Sequence, residues 1–198
     1  MNLGSPDSTN VGDVKRYLTE FLMDKRVIDK PWLLRNLLVK GIIVPFRASR
    51  SAEAYKSIWT EEGSPLLVIS KQLRDALNRQ IEEPVAIAMR YGNPSPKAAF
   101  DELLQQNPDL EEVIAVPMYP HYAMSSFETA VAFAVEQHNK GGYKFRLTTI
   151  KPYYNDEAYI NALCESIRPF LNREYDQLLF SYHGVPERHI HKGDVTGK

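Results

Sequence analysis

Five short apolar runs in this chain each lead into residues able to bind or react. The first gives way to Gly4-Ser5-Pro6. Residues 84–91 deliver Arg90-Tyr91-Gly92, and residues 113–119 deliver Tyr119-Pro120-His121-Tyr122. Residues 144–150 lead to Tyr153-Tyr154, and residues 177–182 lead to His183-Gly184. Aromatic faces stack, a guanidinium pairs with a carboxylate, and a neutral imidazole takes up a proton or a metal ion. If these residues converge, they suit a large, flat, apolar ligand carrying a few anionic groups. Each also has an ordinary reading. Tyr119 and Tyr122 can be rim aromatics, and Arg90 can be held in a plain ion pair. His183 stands out because Gly184-Val185-Pro186 follows it as a tight turn.

Other chemistries lack their residues. His183, His189 and His191 invite a zinc reading, but structural zinc takes four ligands and usually several thiolates. The chain has one cysteine, Cys164, which lies on an apolar helical stripe and reads as core. There is no GxGxxG, no P-loop and no nucleophile elbow, so a nucleotide-dependent enzyme is not expected. Lys+Arg number 24 against Asp+Glu 25, a balance that argues against nucleic-acid binding. A lone cysteine forms no internal disulfide, and no apolar run nears the roughly 20 residues that span a bilayer. No basic-then-apolar leader opens the chain. These features predict a soluble, cytoplasmic protein.

The elements that must position the reactive residues follow from periodicity. Short β-rich runs alternate with helical stretches, which predicts βαβ units: an α/β fold with a Rossmann-like parallel sheet and helices on both faces. Such sheets place ligands beyond the carboxyl ends of their strands. Val14, Tyr17, Leu18, Phe21 and Leu22 form one helical stripe. Phe127, Ala130, Val131, Ala134 and Val135 form a second, preceded by Ser125 and Glu128 at capping-box spacing. Ile160, Leu163, Cys164, Ile167 and Leu171 form a third after Asn155-Asp156. Ser64-Pro65 and Ser95-Pro96 read as an N-cap followed by proline at the first helical position.

Residues 32–46 are harder to place. Trp32, Leu33, Leu34, Leu37, Leu38, Ile42, Ile43, Val44 and Phe46 are interrupted by Arg35 and Lys40, with Arg47 following. A buried helix and loop is the ordinary reading. An exposed lip touching an apolar ligand or a membrane surface is the other. At the two ends, residues 1–6 read as the close of a strand, and the run 177–182 reads as a buried strand without its neighbour, so a fragment is expected.

Taken with their order, these residues resemble the ferrochelatase family, whose members insert ferrous iron into a porphyrin in the last steps of haem synthesis. The resemblance is carried by Met1-Asn2-Leu3-Gly4-Ser5-Pro6-Asp7, Arg16-Tyr17-Leu18 with Glu20-Phe21-Leu22, and Trp59-Thr60-Glu61-Glu62-Gly63-Ser64-Pro65-Leu66. Met89-Arg90-Tyr91-Gly92, Pro117-Met118-Tyr119-Pro120-His121-Tyr122 and Ser181-Tyr182-His183-Gly184-Val185-Pro186-Glu187-Arg188 complete it.

The resemblance implies a chelatase-like fold of two Rossmann-like lobes around a porphyrin cleft. Residues 1–153 would form the first lobe, its first strand clipped, and 154–198 the truncated start of the second. His183 matches the family's active-site histidine, implied to bind the incoming iron, to accept a pyrrole proton, or both. Ser5, Arg90, Tyr91, Tyr119, Pro120, Tyr122 and Ser125 match cleft-lining positions, with Arg90 a candidate partner for a propionate or the proton path. The apolar stretch 32–46 becomes the lip of the cleft and a peripheral membrane contact. Porphyrin and ferrous iron are the implied partners, with no nucleotide or nucleic acid. No cofactor is required, iron being a substrate, while an iron–sulfur cluster and the oligomeric state stay open. The family's catalytic glutamate has no counterpart here, so this polypeptide alone is expected to be inactive. A chelatase for another metal such as cobalt, and a non-enzymatic porphyrin-binding module, are the alternatives.

Overall fold

A computed structural model describes residues 1–172 and 174–193. Among the described residues four short strands carry the fold: β1 (Asn2–Ser5), β2 (Met89–Gly92), β3 (Glu112–Ala115) and β4 (Arg146–Thr149). β1 pairs with β2 and β3 with β4, both in parallel, as crossover connections require. The pairs are bridged at Met1, whose nitrogen donates to Val116 O at 2.7 Å while Met118 N donates to Met1 O at 2.8 Å.

The helices supply the crossovers. α1 (Val11–Leu22), α2 (Trp32–Asn36), a π-helical segment (Leu37–Ile43), α3 (Val44–Ile58) and α4 (Pro65–Leu77) lie between β1 and β2. α5 (Pro96–Gln106) joins β2 to β3. A second π-helical turn (Met124–Glu128) and α6 (Thr129–Gly141) join β3 to β4. α7 (Glu157–Leu171) and α8 (Glu187–Gly193) follow. The predicted parallel α/β class is what the chain adopts.

Two apolar cores hold this arrangement. Val14, Tyr17, Leu18 and Leu22 of α1 pack with Val39, Val44, Ala52 and Tyr91. Phe100, Leu103, Val113, Ala134 and Phe145 form the other, beneath α5 and α6. The α1 stripe read from the sequence is therefore the buried one. Ser95 Oγ accepts from Ala98 N and Asp156 Oδ1 from Tyr159 N, so these helix starts are capped, whereas Ser64 stands at the N-cap of α4 with no side-chain cap hydrogen bond.

Several expectations fail. The Ser125–Glu128 capping box does not form, because those residues lie inside a π-helical turn whose N-cap is Ala123. No strand forms over 177–182. That run is exposed and pairs with no strand among the described residues. Cys164 is exposed, since nothing among the described residues covers the apolar stripe of α7. The segment 32–46 is helical but not buried: Trp32 is 60% exposed, Leu33 75% and Phe46 81%, while Arg35, Val39 and Val44 face inward.

The ends of β1 and β2 approach too closely for side chains at two glycines. Gly4 has φ +106°, and a Cβ there would lie 1.8 Å from Tyr91 O. Gly92 has φ +73°, and its Cβ would meet Ser5 O at 2.6 Å. This contact brings Ser5 and Arg90 to one edge, where the site is built.

Candidate active site

Arg90 leaves β2 into a cluster of polar groups. Its Nε donates to Thr129 Oγ1 at 2.6 Å and its Nη2 to Asp24 Oδ2 at 2.5 Å. The guanidinium carbon lies 4.2 Å from the Tyr91 ring centre and 4.4 Å from that of Phe133. Nη1 is 4.0 Å from Glu20 Oε1. The Arg90 side chain keeps 13% of its surface exposed and Asp24 keeps 3%.

Asp24 is the hub. Its Oδ2 also accepts from Thr129 Oγ1 at 2.5 Å and Tyr91 OH at 3.1 Å, and its Oδ1 accepts from Arg26 N at 2.8 Å. Burial alone would raise this carboxyl. The hydrogen bonds from Thr129 and the Arg26 amide, with the Arg90 charge, outweigh burial and hold it below its ordinary value. Burial pushes the Tyr91 phenol well above its ordinary range, so it stays a neutral donor. Beside this hub, Glu128 accepts from Arg26 Nε at 2.7 Å and Tyr122 OH at 2.5 Å. Burial again opposes ionisation there, and the hydrogen bonds from Tyr122 and Arg26 and the Arg26 charge again prevail.

The structure brings most of the residues read from the sequence to this edge. Arg90 and Tyr91 sit in the hub, and Tyr122 is joined to it through Glu128. Tyr91 is fully buried, so its ring supports Arg90 from beneath. Ser5 Oγ and Tyr119 OH are buried with no hydrogen-bond partner among the described residues. Buried hydroxyls in that position must be met by water or by a bound group. Pro120 is half-buried, its carbonyl accepting from Tyr153 N, and Ser125 is half-buried in the π-helical turn. His121 stacks on Tyr154, ring centres 5.3 Å apart.

His183 is not drawn into the hub. It lies exposed, outside regular secondary structure, ahead of α8. α8 is docked, with Arg188 Nη2 donating to Val27 O at 3.0 Å and Lys192 pairing with Asp29. That loop follows α1 and also carries Asp24 and Arg26. His189 is buried with both ring nitrogens unpartnered among the described residues. Burial and the neighbouring Arg188 charge lower its pKa. Among the described residues no group of three or more His, Cys, Asp or Glu is arranged to hold a metal ion.

Sequence reasoning missed Asp24, Arg26, Glu128, Thr129 and Phe133. Asp24 left a weak signal: a carboxylate just past the C-terminus of a helix is unfavourable beside the helix dipole. Thr129 left none, since a threonine opening a helix is ordinary.

With this geometry in place, the chain can be compared with known proteins. Residues 1–195 match the model of the family described as Ferrochelatase. A ferrochelatase of Pseudomonas syringae pv. tomato is 46% identical over 199 residues, a stretch covering 100% of this chain and 58% of that protein. A ferrochelatase of Opitutus terrae is 46% identical over 199 residues, with 99% and 57% covered. One from Pseudomonas aeruginosa is 45% identical over 196 residues, with 97% and 56% covered. The chain spans less than three fifths of the length of these curated relatives.

Proposed function

The chain belongs to the ferrochelatase family, and from that premise we propose that the protein it represents inserts Fe²⁺ into a porphyrin, releasing two protons, as a step of haem biosynthesis. The observation that carries this reading is the match itself, which spans residues 1–195 and so takes in every strand end that supplies the site. The residue types fit the reaction. Two pyrrole N–H protons must leave as the metal arrives, and a neutral imidazole near physiological pH can accept a proton or hold iron loosely. His183 takes that role. Ser5 and Tyr119 offer buried hydroxyls to the ligand, Tyr122, Pro120 and Ser125 form a wall, and Arg90 and Tyr91 form the floor.

Residues 1–153 serve as the first lobe and 154–198 as the start of a second. This division is supported by α7, whose Ile160, Leu163 and Leu171 are exposed, and by the uncovered Leu178, Leu179, Phe180 and Tyr182. Apolar surface in such continuity needs a cover. The outward Trp32, Leu33, Leu37 and Phe46 serve as a lip that a porphyrin passes and that can rest on a membrane surface. No helix among the described residues is long and apolar enough to cross one.

The test compares this 198-residue chain with the protein expressed from its full reading frame, each given Fe²⁺ and a free-base porphyrin without oxygen, and each given Co²⁺ in parallel. The metalloporphyrin absorption spectrum should develop with Fe²⁺ and the full-frame protein, and not with this chain alone. A full-frame protein that leaves the porphyrin metal-free with Fe²⁺ overturns the proposal. Faster insertion of Co²⁺ than Fe²⁺ would redirect it to another metal.

A further inference from the structure

The charges gathered beyond the ends of β1 and β2 do not balance. The carboxylates of Glu20, Asp24 and Glu128 face the guanidiniums of Arg26 and Arg90. Arg90 is the cation a ligand carboxylate would be expected to seek, yet it is already engaged. Nη2 is on Asp24, Nε on Thr129, both faces of its neighbourhood are aromatic, and Nη1 lies nearest Glu20. A carboxylate brought to Arg90 would be set against Asp24 and Glu20. Asp24 satisfies its own lone pairs within the protein, so its charge is fixed in place and does not follow the ligand.

We propose that Asp24 is a positioning residue that holds Arg90 inward and cancels its charge, so that this wall of the site admits a divalent cation and does not anchor a porphyrin carboxylate. The inference rests on the iron-insertion reading above. Without Asp24 the wall would lose its net negative charge, and Arg90 would be opposed only by Glu20, 4.0 Å away at the solvent edge. The wall would then attract Fe²⁺ less and repel the porphyrin's carboxylates less.

The experiment uses the full-frame protein. Asp24→Asn should raise KM for Fe²⁺ about fivefold or more while lowering KM for the porphyrin. The double variant Asp24→Asn/Arg90→Gln removes both charges and should return KM for Fe²⁺ to within about twofold of the parent. A merely structural role would lower kcat and thermal stability without separating the two KM values, and that result overturns the proposal. If Asp24→Asn does not fold by near-UV circular dichroism, Glu20→Gln, at the solvent edge, decides. It should raise KM for Fe²⁺ about two- to threefold relative to that for porphyrin, and no change overturns the proposal. If the parent inserts no iron, the functional reading has failed separately, and porphyrin affinity by fluorescence quenching still decides. Tighter binding by Asp24→Asn, or by Glu20→Gln where the first does not fold, supports the role, and unchanged binding removes it.

Discussion

Replacing Thr129 by valine tests whether the polar hub holds the fold together. Thr129 is fully buried, its Oγ1 accepting from Arg90 Nε and donating to Asp24 Oδ2. Valine keeps the shape but removes both bonds and leaves the Arg90 Nε–H unmet, while Asp24 Oδ2 keeps the bonds from Arg90 Nη2 and Tyr91 OH. Hydrogen bonds to charged groups contribute about 1.5–3 kcal/mol each, so the loss should be roughly 3 kcal/mol once partial rearrangement is allowed. At about 2–4 °C per kcal/mol for a chain of this size, Tm should fall by roughly 6–12 °C. Thr129→Ser keeps the hydroxyl and loses one methyl, a change that should cost about 1 kcal/mol. Urea unfolding of the 198-residue chain, followed by circular dichroism, gives both values. Valine costing less than serine would mean that packing, and not the hydrogen bonds, sets stability here, and the reasoning about the hub would be wrong.

Other outcomes follow from the same structure. The Asp24 carboxyl, ordinarily at 3.8, is held lower in the fold, so its contribution is fully present above about pH 4 and is lost as pH falls through its folded value. Asp24→Asn should therefore lose stability less steeply than the parent between about pH 5 and pH 2 in acid titrations monitored by fluorescence; equal slopes would show no such coupling. Gly4→Ala places a Cβ where Tyr91 O already sits, at a φ that L side chains rarely adopt. It should destabilise by about 3 kcal/mol or more, or prevent soluble expression, and a stability within error of the parent would contradict the close approach of β1 and β2. Replacing Trp32, Leu33 and Phe46 by serine removes exposed apolar surface only, so stability should change by about 0.5 kcal/mol or less per site. Sedimentation with vesicles should nevertheless drop, and retained binding would remove the lip from any membrane role.

Much of this arrangement was legible in the sequence where short-range rules act alone. β4 falls within its predicted run and β2 and β3 overlap theirs but for one residue each, and the Ser95 and Asp156 caps follow from one residue and its local geometry. The Ser125–Glu128 spacing obeyed the same rule but was overridden. A tertiary bond claims Glu128 for Arg26 and Tyr122, and the backbone there takes up a π-helical turn. The run 177–182 has the composition of a buried strand, yet strand formation needs a neighbour, and none is present among the described residues. The burial of His189 is not legible locally: it lies among charged neighbours, and docking of α8 on the loop after α1 accompanies its burial. Asp24 and Thr129 were hidden because their significance lies in partners 66 and 105 residues away.

The central claim, that this chain contributes the proton-accepting and metal-binding histidine of an iron-inserting site, is tested most directly at His183. The full-frame protein and its His183→Ala variant should be compared anaerobically for porphyrin binding by fluorescence quenching and for iron insertion by absorbance. Both proteins should bind the porphyrin with similar affinity, and only the parent should convert it to the iron form, losing at least about a hundredfold in rate when the imidazole is removed. Insertion by His183→Ala at the parental rate would contradict the account.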